Sequence, residues 1–187
     1  MGRLWLAVLL VGSGLAQTPP DLQRAFETAE RQILRLNPSA FPELPKKVLA
    51  DLKRRGCLIP QVQPVNEPHN VIKGEFAKPG QTDWAVLCSI GGVSSILVYW
   101  NGSAANPAQI AEKKDFDNLQ DSGADGITYS RAIAPADRAY ILQHYQAYGG
   151  TKPPPLDHQG IDDAFVEKGS VVFYFYQGKW LQLTGAD

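Results

Sequence analysis

The sequence predicts an α+β domain: one antiparallel sheet of five or six strands, with N-terminal helices linked by a disulfide to its central hairpin. Three observations predict it. Residues 70–102 hold three apolar runs separated by turn residues. Two segments with helical spacing precede them, the second ending beside Cys57. The chain closes on two more alternating runs, residues 171–176 and 179–184, joined by Gln177-Gly178.

Taken in order, Arg3, an apolar run over residues 4–11 and the small residues Gly14-Leu15-Ala16 predict a signal peptide over residues 1–16. Residues 17–187 are then a single α+β domain. The run falls short of the ~20 residues a membrane-crossing helix needs, so no stable membrane insertion is expected after cleavage. Thr18-Pro19-Pro20-Asp21 combines a capping threonine, early prolines and an acid, which is a helix start. Leu22, Phe26, Ala29, Ile33 and Leu36 place one apolar face on that helix, and Asn37-Pro38 ends it. Residues 44–55 repeat the pattern with Leu44, Val48 and Leu52 inward, and Gly56 is placed to stop the helix. Lys53, Arg54 and Arg55 fall in its last turn, where cations meet the helix dipole favourably.

Cys57 and Cys88 are the only cysteines, 31 residues apart. In an oxidising compartment an isolated pair reads as one disulfide. Closing a loop of that length stabilises the fold by roughly 3–4 kcal/mol through the unfolded chain. The bridge is expected to pin the end of the second helix to the sheet.

The strands follow from turn chemistry. Residues 71–77 and 83–90 flank Lys78-Pro79-Gly80-Gln81-Thr82, where Pro then Gly suits a type II turn. Gly91-Gly92 joins residue 90 to residue 93 as a two-residue hairpin. That loop length predicts the register Ile90 with Val93, Cys88 with Ser95, Val86 with Leu97 and Trp84 with Tyr99. Ala85/Val98 and Leu87/Ile96 then share the opposite face. Both faces are apolar, so these strands belong in the centre of the domain, covered on at least one side by helices and partly on the other. Residues 108–111 and 127–133 read as further strands, 135–148 as a helix closed by Gly149-Gly150, and 161–167 as a short helix. If the Gln177-Gly178 turn has two residues, Phe175 faces Trp180 and Tyr174 faces Leu181.

The 18 basic and 19 acidic residues give a formal net charge of −1, with no concentrated basic face for nucleic acid. No nucleophile elbow, zinc-protease helix or phosphate-binding glycine loop occurs, and no cofactor is expected. Two acidic clusters carry what chemistry there is. Asp157-His158, followed by Asp162 and Asp163, sets a histidine beside three carboxylates at an expected helix start. With His69 or His144 it offers a general-base or metal set. Carboxylates at a helix start also occur for purely structural reasons. Asp115, Asp117, Asp121 and Asp125 supply oxygen ligands of the kind calcium takes, without the glycine and closing glutamate of an EF-hand. Asn101-Gly102-Ser103 has the form of an N-glycosylation acceptor.

Two resemblances add to this reading. Val71-Ile72-Lys73-Gly74-Glu75-Phe76, Gly80 and Asp83-Trp84-Ala85-Val86 resemble one hairpin of the FG-GAP/VCBS repeats, in a single copy and without their calcium loop. The segments RGCLIPQ, DWAVLCS, SSILVYWNG and GKWLQLTGAD are similar to a family of uncharacterised exported bacterial proteins, which implies the periplasm or secretion. The expected function is binding to an envelope or extracellular protein or to a glycan. The alternative is a small hydrolase or metal-dependent enzyme using Asp157, His158, Asp162 and Asp163.

Overall fold

Local chemistry sets where each helix stops. The structure, a computed structural model, describes residues 20–65 and 67–187. The signal-peptide expectation over residues 1–16 and the Thr18 cap lie outside the described residues. Helix α1 (Pro20–Gln32) buries Ala29. It ends before Leu36, which instead joins strand β1 (Arg35–Leu36). Pairing of β1 with β2 (Ile59–Pro60) takes the chain out of the expected helix. Helix α2 (Lys46–Arg55) starts two residues later than expected but keeps the apolar face, with Val48 and Leu52 buried and Leu44 buried just ahead of it. Gly56 adopts the left-handed φ of 70° that stops it, and its N–H returns to the Leu52 and Lys53 carbonyls. Cys57 follows and is disulfide-bonded to Cys88, with Cα atoms 5.4 Å apart.

Strands β3 (Val71–Gly74), β4 (Asp83–Ile90), β5 (Val93–Tyr99) and β6 (Ala108–Lys114) form an antiparallel sheet in that order. The β4–β5 register is the one the Gly91-Gly92 loop dictates, from Ile90↔Val93 to Trp84↔Tyr99. The two glycines sit at φ 60° and 82°, angles that side chains with a Cβ rarely adopt. Asp83 is fully buried and consumed locally. Its carboxylate accepts from the backbone N–H groups of Phe76 (3.0 Å), Ala77 (2.9 Å) and Asn101 (2.8 Å), tying two loops to the start of β4.

The rest of the chain departs from a single sheet. A two-stranded ribbon, β7 (Leu119–Asp121) with β8 (Ile127–Tyr129), packs under α1. Strand β9 (Arg131–Ala136) follows after a break at Ser130, so residues 127–133 are two strands rather than one. Helix α3 (Arg138–Tyr148) begins three residues later than expected. Asp137 caps it by accepting from the Tyr140 N–H at 2.8 Å, and residues 135 and 136 pair with a neighbouring strand. Residues 161–167, expected as a helix, lie instead mostly in β10 (Gly160–Phe165), hydrogen-bonded on both sides by β9 and by β11 (Gly169–Tyr176). Ladder bonds on two edges outweigh a weak helical preference. Strand β12 (Lys179–Thr184) completes the hairpin, with Phe175↔Trp180 and Tyr174↔Leu181 as the loop length requires.

The expected five- or six-stranded sheet is therefore two four-stranded antiparallel sheets, β3-β4-β5-β6 and β12-β11-β10-β9, with two ribbons beside them. The sheets face each other. Ala85, Leu87, Ile96 and Val98 of the first meet Ile133, Ile161 and Phe173 of the second in one apolar seam. Helix α2 covers the outer face of the first sheet and α3 that of the second, where Ile141 packs on Val172, Tyr174 and Leu183. The fold is α+β in four layers, helix, sheet, sheet, helix. Among the described residues no helix is long and apolar enough to cross a membrane.

Candidate functional site

Strand alternation decides what the Asp157–Asp163 cluster can do. Because Asp162 and Asp163 are neighbours on β10, their side chains leave on opposite faces. Asp163 enters the seam, where Arg131 Nε (2.7 Å) and Nη2 (3.1 Å) and Lys113 Nζ (2.9 Å) donate to it. Arg131 is fully buried. It spends its remaining donors on the Ser94 carbonyl (3.1 Å), Ser94 Oγ (3.0 Å) and the Ala111 carbonyl (2.5 Å). The pair thus bridges the two sheets with every charge compensated.

Asp162 turns towards α3 and receives one hydrogen bond, from the Tyr140 hydroxyl at 3.1 Å. Its Oδ1 is buried without a partner. Burial raises its carboxyl above the ordinary value, against the lowering influence of the nearby Ser170 and Tyr140 hydroxyls. Burial likewise raises the Tyr140 phenol.

His158 lies apart from both, at the end of the loop into β10. Its ring stacks on Tyr174 with centroids 4.4 Å apart. Nδ1 meets Asp157 Oδ1 at 2.6 Å, and Nε2 donates to the Phe175 carbonyl at 2.9 Å. The hydrogen bond with His158 holds the exposed Asp157 carboxyl below its usual range. The imidazole is buried and both nitrogens are engaged, so the arrangement fixes the loop onto β11. Asp157 with His158, Asp162 and Asp163 thus occupy three separate environments. His144 stacks between Tyr140 and Tyr148 on α3, and His69 bonds within its own loop.

The other acidic set is similarly dispersed. Asp115 is fully buried and accepts from Arg35 Nη2 (2.7 Å) and Ser89 Oγ (2.6 Å). Asp117, Asp121 and Asp125 are exposed, and Asp121 accepts from the Gly123 N–H at 3.0 Å. Among the described residues no group of three or more His, Cys, Asp or Glu side chains is placed to hold a metal ion. Asn101 is exposed on the turn after β5.

A different feature emerges at the β4–β5 hairpin tip. On the outer face of the first sheet Trp84, Val86, Cys88, Leu97 and Tyr99 are buried beneath α2, but the helix stops short of the tip. Ile90 is left 50% exposed and its cross-strand partner Val93 37% exposed. They border a hollow of about 170 Å³ with Arg55, Ser95, Gln109 and Glu112 on its polar side. Gln109 bonds both Ser95 Oγ and Glu112 Oε2 at 3.1 Å, so those polar groups are held in place. Sequence spacing places Ile90 opposite Val93. It carries no signal for how far α2 reaches along the face, nor for Gln109 and Glu112 arriving from β6.

Comparison of the chain with protein-family models, with curated proteins and with solved structures finds no match in any of the three.

Proposed function

We propose that this chain is a disulfide-stapled exported protein, periplasmic or secreted, that acts by binding an envelope or extracellular protein or a glycan. We place its contact surface at the β4–β5 hairpin tip. The observation that carries this reading is the exposure of Ile90 and Val93 on a face that α2 otherwise covers. Paired apolar side chains ringed by fixed polar groups are what a recognition surface presents. Export is supported by the leader-like residues 1–16, by the oxidised pair Cys57–Cys88, and by the resemblance of DWAVLCS and GKWLQLTGAD to exported bacterial proteins. The dispersal of Asp157, His158, Asp162 and Asp163 gives the hydrolase alternative no converging set to rest on.

The test has two arms. A photoreactive side chain at position 90 in the exported protein should form a specific protein adduct, and one at the exposed β12 position Gln182 should not. A glycan array should retain the protein only if the ligand is a carbohydrate, with retention lost in Ile90→Glu/Val93→Lys. No adduct above the Gln182 control together with no retained glycan would overturn the reading. Cleavage after residue 16 is checked by N-terminal sequencing of the exported chain.

A further inference from the structure

The loop between β2 and β3 leaves and returns through one pair of residues. Gln61 is fully buried, and its amide serves residue 69 as a second peptide group would. Oε1 accepts from the His69 N–H at 2.8 Å, and Nε2 donates to the His69 carbonyl at 2.9 Å. The His69 ring closes the same loop from the other side. The Val62 N–H donates to Nε2 at 2.6 Å, and Nδ1 lies 3.0 Å from the Glu67 carbonyl.

These partners dictate the protonation state. A backbone N–H only donates, so Nε2 must carry a bare lone pair. A carbonyl only accepts, so Nδ1 must carry the hydrogen. Only the neutral Nδ1–H imidazole satisfies both. A second proton would sit on Nε2 and point at the Val62 N–H, setting donor against donor at hydrogen-bond distance.

We propose that His69 is a pH-sensitive latch: protonation of its ring releases residue 62 from residue 69 and loosens the base of this loop. The latch borders a hollow of about 300 Å³, lined from the loop by Val62, Pro64 and Glu67. Beta strand β9 contributes Ala132 and Ile133, and the segment after β10 contributes Val166. None of these three ionises, so among the described residues Glu67 is the one titratable neighbour of His69 lining the hollow. Pro64 also borders a second hollow of about 290 Å³ beside α1 and β8. Loosening the latch therefore changes the wall between two surface depressions. Histidine is the side chain whose charge ordinarily changes between neutral and mildly acidic pH, which sets the two conditions to compare.

The test is nitrogen-15 NMR with amide hydrogen exchange on the whole chain. Near neutral pH the His69 ring should show the Nδ1–H tautomer and the Val62 amide should be protected. At about pH 5, after correction for intrinsic rates, Val62 exchange should rise by about tenfold or more while the Ile96 and Val98 amides stay protected. That contrast separates local release from global unfolding. In His69→Gln the amide oxygen can still accept from Val62 and does not titrate, so protection should persist at both pH values. In His69→Ala it should be lost at both. An Nε2–H tautomer at neutral pH, or unchanged Val62 protection once the His69 ring is charged, would overturn the latch.

Discussion

The two faces of β10 place neighbouring aspartates in opposite circumstances. On the seam side, Asp163 meets a fully buried arginine and a lysine that together compensate it, and the cluster joins β10 and β9 to β5 and β6. On the α3 side, Asp162 has a single tyrosine donor and an oxygen with no partner. The lesson is that burial alone does not determine the worth of a carboxylate. The number of donors waiting for it does.

Several changes would break or sharpen that contrast. The largest effect is expected from Arg131→Met, which leaves Asp163 in the seam with the partly exposed Lys113 as its one cation. Denaturant unfolding should show a loss of about 3–5 kcal/mol, and adding Asp163→Leu should recover most of it. Asp51, on α2 above the first sheet, extends the comparison. Burial pushes its carboxyl up, but hydrogen bonds from Arg55, Arg54 and Tyr99 outweigh that and hold it below the ordinary 3.8. Asp51→Asn should cost about 1–2 kcal/mol at neutral pH by weakening those bonds. Because the folded carboxyl is the stronger acid, that stabilisation is present above pH 3.8 and fades below it, so wild type and variant should converge in acid. Lys113→Met should cost less, about 0.5–1 kcal/mol, since the lysine side chain is 40% exposed and Arg131 remains.

Asp162→Asn is expected to have the smallest effect and the opposite sign. The folded carboxyl is the weaker acid, so wild-type stability falls as pH rises from 3.8 through the folded value. The variant should match wild type below that window and be slightly more stable above it, by under about 1 kcal/mol. Thermal melts across the acid range would show this. A variant less stable than wild type at neutral pH would mean that the ionised Asp162 is better compensated than its single donor suggests.

What the sequence revealed follows how local each interaction is. The β4–β5 and β11–β12 registers were legible because two-residue turns determine them, and each turn has glycine where the chain needs it. Helix α2 and its disulfide were legible because Gly56 and Cys57 are adjacent. Two apolar faces on β4 and β5 announce helices over at least one side and partial cover on the other; α2 covers one face, whereas a whole second sheet covers the other, which no local pattern announces. β10 was misread because Asp157 to Asp163 resembles a helix start, whereas its fate depends on pairing with residues 131–136 and 169–173. The partners of Asp163 are 32 and 50 positions away, and no spacing rule reaches that far. The exposed hairpin tip is an absence of cover, which depends on where α2 ends relative to the sheet.

The sulfur bridge lies wholly within the first half of the molecule, and that matters for how the chain is born. A polypeptide emerges amino end first, so both cysteines and the strands around Leu87 and Ile96 are complete while Ile133, Ile161 and Phe173 are still unmade. Oxidation can therefore lock one leaf of the sandwich early, leaving its inner surface bare until the later leaf arrives. During that interval the nascent chain presents a greasy ledge, the kind of surface that holding chaperones clasp and that crowded neighbours stick to.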